Sequence, residues 1–214
     1  MSIWRQKISA QLSAENYLIQ SEPELPRNNS TLKDIHASEE VAEVYEALGG
    51  RDDPADIPLA EVDFWVGDHY LVIDDALSFH RYRLATLRSP VYLEIKSLDL
   101  NNYRRYSRQF EEECVKAGVR SAVWTSKKAE QHFGTASEPG DFFANGSSGW
   151  KYTAFSNFLL DIYALRLGLS LIRLPIYANL MVGGRLERLD KILLKGDEQS
   201  TKYVSQHLAR ILAK

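Results

Sequence analysis

The sequence predicts a mixed α/β protein with four to five strands flanked by helices, on three observations. Apolar residues alternate with polar ones over residues 62–66 and 91–96, the period of a half-buried strand. Residues 70–73 and LSLIRLPIY (169–177) are near-continuous apolar runs, as expected of strands covered on both faces. Segments with helical spacing separate these runs, so strands and helices mix along the chain. A length of 214 residues, 44% of them hydrophobic and 26% charged, suits one globular domain. We divide it into an N-terminal arm and linker, 1–36, and a single α/β domain, 37–214.

Residues 1–36 hold a short amphipathic piece and then SEPELPRNNS, a linker by composition. The arm either packs on the body or contacts a protein partner. A helix starts at Ser38, an N-cap with Glu39 and Glu40 in the first turn, where the helix dipole favours acids. Val41, Val44, Tyr45 and Leu48 make its buried stripe, and Gly49-Gly50 ends it. RDDPADIP is a loop.

Two strands then meet at Gly67-Asp68, a tight-turn signal. A two-residue turn puts Asp63 opposite Val72, with Asp74 diagonal to Asp63 on the same face and Asp75 on the other. Residues 79–87 read as helical. VYLEIK (91–96) reads as a third strand, with a helix as its competitor. Residues 101–117 read as one helix closed by Gly118, and 119–125 as another strand. FGTASEPGDFFANGSSG is a long loop, 150–165 a mostly apolar helix, and 198–212 an amphipathic one.

Composition removes several classes. A net charge of −3 takes away the argument from a basic whole protein, leaving only a local basic patch for nucleic acid. The single cysteine, Cys114, excludes an intramolecular disulfide and a multi-cysteine zinc site, and fits a reducing compartment. The first residues lack an apolar core of signal-peptide length. The apolar stretch 155–174 is broken by Asp161, Arg166, Gly168 and Arg173, so it reads as core rather than membrane span. We therefore expect a cytoplasmic protein with no membrane contact.

The chemistry concentrates in 63–96. Carboxylates fixed on a sheet can hold Mg²⁺ or Mn²⁺ between water and a phosphodiester, and a nearby lysine can stabilise the developing charge. Asp63, Asp74, Asp75 and Glu94 are the acids available, and Lys96 shares a strand face with Glu94. The metal ligands expected are Asp63, Asp74 and Glu94. The ordinary alternative is that these are strand-end acids without metal.

The order of helix SEEVAEVYEAL, hairpin VDFWVGDHYLVIDD, His80, a later helix and LSLIRLP resembles the PD-(D/E)XK nuclease superfamily, in particular very-short-patch-repair-type endonucleases and their bacterial relatives. The resemblance covers about residues 38–175 and implies a restriction-endonuclease-like fold, a metal-dependent activity on DNA, and Asp63 and Asp74 as the first- and second-strand acids. Glu40 or Glu43 would be the helix acid. This chain departs from the pattern where a lysine or acid should follow Asp74, since Ala76 stands there. Two registers stay open, Asp63 with Asp74 or Asp75 with Glu94-x-Lys96, and so does a degenerate site in a nucleic-acid-binding or protein-interaction module. In the active reading, Asp74→Ala abolishes cleavage while sparing the fold.

Positive charge gathers at His80, Arg81, Arg83 and Arg88 and again at Arg104, Arg105 and Arg108. Arginines position phosphates, so these residues are expected to hold a DNA backbone, unless they are helix faces paired with Glu111, Glu112 and Glu113. NGSSGWK (145–151) opens a helix with glycine and serine. Its backbone N–H groups and Lys151 could face an anion, although helix capping explains most of the pattern.

Overall fold

The computed structural model describes residues 2–20, 25, 29–118 and 123–213. Among them lie ten helices: α1 (Ile3–Ala14), α2 (Asn29–His36), α3 (Glu39–Ala47), α4 (Arg81–Thr86), α5 (Leu100–Gln109), α6 (Glu111–Gly118), α7 (Lys127–Phe133), α8 (Ser148–Leu167), α9 (Leu189–Lys195) and α10 (Glu198–Leu212). The strands are β1 (Ile19–Gln20), β2 (Phe64–Val66), β3 (His69–Asp74), β4 (Ser170–Pro175), β5 (Asn179–Val182) and β6 (Arg185–Arg188). The protein is thus mixed α/β. The chain divides into two compact units, one of residues 1–24, 61–75 and 169–214, the other of 25–60 and 76–168.

The first unit carries every strand found among the described residues. Its main sheet runs β1-β2-β3-β4, antiparallel at the first two pairings and parallel at the third. The β2–β3 hairpin closes with Val66 opposite His69, so the turn is the two residues Gly67 and Asp68. Gly67 has φ +57°, the left-handed value that the first central position of a mirror-image hairpin turn requires. One face of the sheet presents Phe64, Val66, Leu71 and Leu174 to Ile8 and Leu12 of α1, Leu189 and Ile192 of α9, and Val204 and Leu208 of α10. The segment read as an arm therefore spends the apolar face of α1 in this unit's own core. It also supplies the edge strand β1.

The second unit is helical. Its axis is α8, twenty residues long and buried on nearly every side, as a helix apolar all round must be. Tyr45, Phe133 and Phe155 pack together there, with ring centroids 5.0–6.4 Å apart. A second group joins Trp124, Trp150 and Phe142.

Three expectations are corrected. VYLEIK is not a strand: Pro90–Leu93 is a 3-10 turn, and Glu94 and Lys96 follow in irregular chain. Pro90 opens that turn, and neighbouring Val91 and Tyr92 are both buried while Leu93 is 75% exposed, which no two-residue period allows. The helix expected over 101–117 is two helices, broken at Phe110, whose φ of −110° caps α5. The strand expected over 119–125 falls partly outside the described residues, and residues 123–125 form no strand. No helix among the described residues is long and apolar enough to cross a membrane.

Candidate functional site: the hairpin carboxylates and the basic helices

The hairpin register is the one the sequence implied, with Phe64 opposite Leu71. In the parallel pairing Val72 lies beside Arg173, so Asp74, two residues on, shares the face of Arg173. Nη1 of Arg173 donates to both oxygens of Asp74, at 3.0 and 3.2 Å. Both side chains are 2% exposed. This is a buried ion pair, and the pairing of β3 with β4 builds it.

Asp63 stands on the same face, just ahead of β2. Its Oδ2 accepts the backbone N–H of Ile73 at 2.7 Å, and Oδ1 lies 3.8 Å from Arg5 Nε. Arg5 also donates through Nη2 to the Asp63 carbonyl at 2.8 Å. Burial raises the Asp63 carboxyl above its ordinary value of 3.8. The Ile73 N–H and Arg5 work against that shift, and the nearby charge of Asp74 adds to it. The two acids are therefore close enough to feel each other.

The residues do not fit a divalent cation. Asp74 has both oxygens on a guanidinium, and one oxygen of Asp63 is committed to a backbone N–H. Among the described residues, no three His, Cys, Asp or Glu side chains converge as a metal would need. Asp75 is half-buried at the end of β3. Glu94 and Lys96 are exposed and belong to the helical unit, not to the sheet.

The expected phosphate-binding residues sort sharply. His80 is buried, caps α4 by accepting the Arg83 N–H at 3.3 Å, and stacks on Trp150 with centroids 5.0 Å apart. Burial, helped by the charges of Arg83 and Arg81, lowers its pKa to about 3, so it is neutral at physiological pH. Arg83 is also buried. It donates to Asp161 Oδ2 at 2.8 Å and to the Tyr92 hydroxyl at 2.8 Å, while that hydroxyl donates to Asp161 at 2.7 Å. These two residues present no charge to a ligand, contrary to the sequence expectation. Arg81 forks onto Glu111 through two 2.8 Å bonds and covers the Phe142 ring. Burial opposes ionisation of Glu111, but its bonds with Arg81 prevail and hold it below the ordinary range.

Arg104 donates to the carbonyl of Leu87 at 2.7 and 3.1 Å, closing the C-terminus of α4. Arg88, Lys96, Arg105 and Arg108 are exposed, and none is ion-paired among the described residues. Lys151 is buried in the first turn of α8.

Sequence reasoning missed Arg173, Asp161 and Arg5. The first two did carry a signal: each is a lone charge inside an apolar run, and a charge there needs a buried partner.

The candidate site thus comprises a hairpin whose acids face arginines and, in the helical unit, exposed arginines that form no ion pair among the described residues. The chain belongs to a family of unknown function (DUF7255), which matches residues 43–195, from within α3 to the end of α9. No curated protein and no solved structure gives a match.

Proposed function

We propose that this chain is a nuclease-like protein whose hairpin acids have become structural, and that it binds nucleic acid without hydrolysing it. The observation that carries this reading is the buried Arg173–Asp74 pair: a guanidinium occupies the carboxylate on which a metal would depend. The resemblance to PD-(D/E)XK nucleases is supported by the element order, with a hairpin, a later helix and a late strand beside β3.

Arg105 and Arg108 carry the binding. They lie three residues apart on the exposed face of α5, about 5–6 Å between Cβ atoms, and α5 buries Tyr103 and Tyr106 on its other side. Arg88 joins them at the end of α4, which Arg104 ties to α5. A local patch of this kind can hold phosphates on a chain of net charge −3. The cytoplasm suits the reading, since buried Cys114 stays reduced there.

The test is incubation of supercoiled and single-stranded DNA with Mn²⁺, beside fluorescence anisotropy across a salt series. The expected result is binding without cleavage. The Arg105→Ala/Arg108→Ala protein should bind more weakly, with the slope of log affinity against log salt smaller by about 1–2. Metal-dependent cutting that Asp63→Asn abolishes would restore the nuclease reading. No binding even at low salt would turn it to a protein-interaction module.

A further inference from the structure

Lys151 is 7% exposed, yet no acid among the described residues pairs with it. Its ammonium donates to Asn145 Oδ1 at 2.7 Å, a neutral acceptor, and lies 5.6 Å from the centre of the Tyr82 ring. An ammonium has three donors, and the amide takes one. Among the described residues neither Lys151 nor Arg51 forms an ion pair. Buried charges are ordinarily compensated, because desolvation is costly otherwise. The neighbouring charge that acts on it, Arg51, has the same sign. Burial first, and Arg51 second, hold the Lys151 ammonium below the usual lysine range.

The surroundings hold Lys151 through Asn145 and set Arg51 against Gly134. Asn145 Nδ2 donates to the carbonyls of Phe133 and Thr135, each at 2.8 Å, which turns its Oδ1 toward Lys151. Gly134, between those carbonyls, lies against the Arg51 guanidinium: a Cβ there would sit 2.3 Å from Arg51 Cζ. Gly49, at φ +79°, would place a Cβ 3.6 Å from Lys151 Nζ, so the turn that leads into Arg51 also packs on the ammonium. Two of the N–H groups opening α8 are occupied already, Gly149 by the Trp124 carbonyl and Trp150 by Ser147 Oγ. The feature is thus a pair of side-chain cations and does not depend on the helix terminus.

We propose that Lys151 and Arg51 form a binding site for a phosphate monoester group. Two positive charges match a group carrying close to two negative ones, and a planar guanidinium can fork onto two of its oxygens. Arg51 is exposed, so the group enters from solvent. Lys151, held by Asn145, has two donors beyond that bond. This site shares no residue with the Arg105–Arg108 face and does not rest on the nucleic-acid reading. The phosphate could belong to a nucleic-acid end or to a small phosphorylated molecule.

Calorimetric titration of the full chain with inorganic phosphate, at constant ionic strength in chloride buffer, tests the site. The expected result is one-to-one binding, weakened about tenfold or more in Arg51→Gln and in Lys151→Met. Arg51→Gln changes an exposed side chain and keeps the test valid where Lys151→Met fails to fold. No binding at millimolar phosphate, or equal binding by wild type and Arg51→Gln, overturns the proposal. Two single-stranded oligonucleotides, identical except for a 5′-phosphate or 5′-hydroxyl, then identify the source. Preference for the phosphorylated strand, displaced by inorganic phosphate, assigns a nucleic-acid end; no preference beside phosphate binding assigns a small molecule. Affinity of the 5′-hydroxyl strand, which Arg105 and Arg108 govern, reports the nucleic-acid reading separately.

Discussion

Asp74 and Arg173 stand 99 residues apart in the chain, yet one guanidinium nitrogen lies 3.0 and 3.2 Å from the two carboxylate oxygens. Burial at 2% exposure makes the pair costly to break from one side. Asp74→Ala removes the carboxylate from a buried arginine and should cost about 3–5 kcal/mol of stability. Asp74→Ala is therefore expected to destabilise the fold rather than spare it. Arg173→Met in the same background should recover most of the loss, because a well-packed apolar pair can replace a buried ion pair. Chemical denaturation of the two single variants and the double variant measures the coupling. Two independent, additive losses would refute the pairing.

The pH dependence of stability should have two opposed components. His80 has a folded pKa of about 3 against 6.5 unfolded, so acid protonates the unfolded chain first. Its contribution is complete above pH 6.5 and is lost as pH falls toward 3, by roughly 1.4 kcal/mol per pH unit. Asp63 behaves oppositely. Its folded value is raised above 3.8, so its contribution is complete below 3.8 and is lost as pH rises through the folded value. Urea midpoints followed from about pH 7 down to about pH 4 separate the two. His80→Asn keeps a capping acceptor and should flatten the acid loss. Asp63→Asn keeps the acceptor for the Ile73 N–H and should steepen that loss while raising stability at neutral pH. The same slope in all three proteins would contradict both assignments.

The local signals in the sequence carried far, and the long-range ones did not. Gly67-Asp68 fixed the hairpin and its register, because a two-residue turn leaves no freedom in pairing. The Ser38 N-cap and the Glu198–Leu212 helix were legible from capping and periodicity alone. VYLEIK misled because three alternating apolar residues also fit a 3-10 turn, and only Pro90 argued for the turn. The two-residue β1 is too short to leave a period. Among the carboxylates, the shared face of Asp63 and Asp74 was readable from the hairpin. Arg173 was not, since it arrives through the parallel pairing of β3 with β4, which no local pattern encodes. Burial likewise decided the fate of His80, Arg83 and Lys151, three polar residues whose surroundings come from α8 and from loops distant in sequence.

Gly149 gives a test in which two effects of known size oppose each other. It lies in the first turn of α8, and alanine in a helix is favoured over glycine by about 1 kcal/mol. Propensity alone therefore expects Gly149→Ala to stabilise. The helix here passes close to the preceding loop, and the Gly149 N–H donates to the Trp124 carbonyl at 3.0 Å. A Cβ at 149 would stand 2.1 Å from the Val123 carbonyl oxygen and 2.9 Å from that of Trp124. Both obstacles are backbone, so neither can swing aside as a side chain would. The overlap should cost about 1–3 kcal/mol or more, as overpacking does, and it should also break the bond that holds the loop. The clash wins, and Gly149→Ala should lower the melting temperature. An unchanged or raised value would mean that the loop carrying Trp124 does not close on α8 as described.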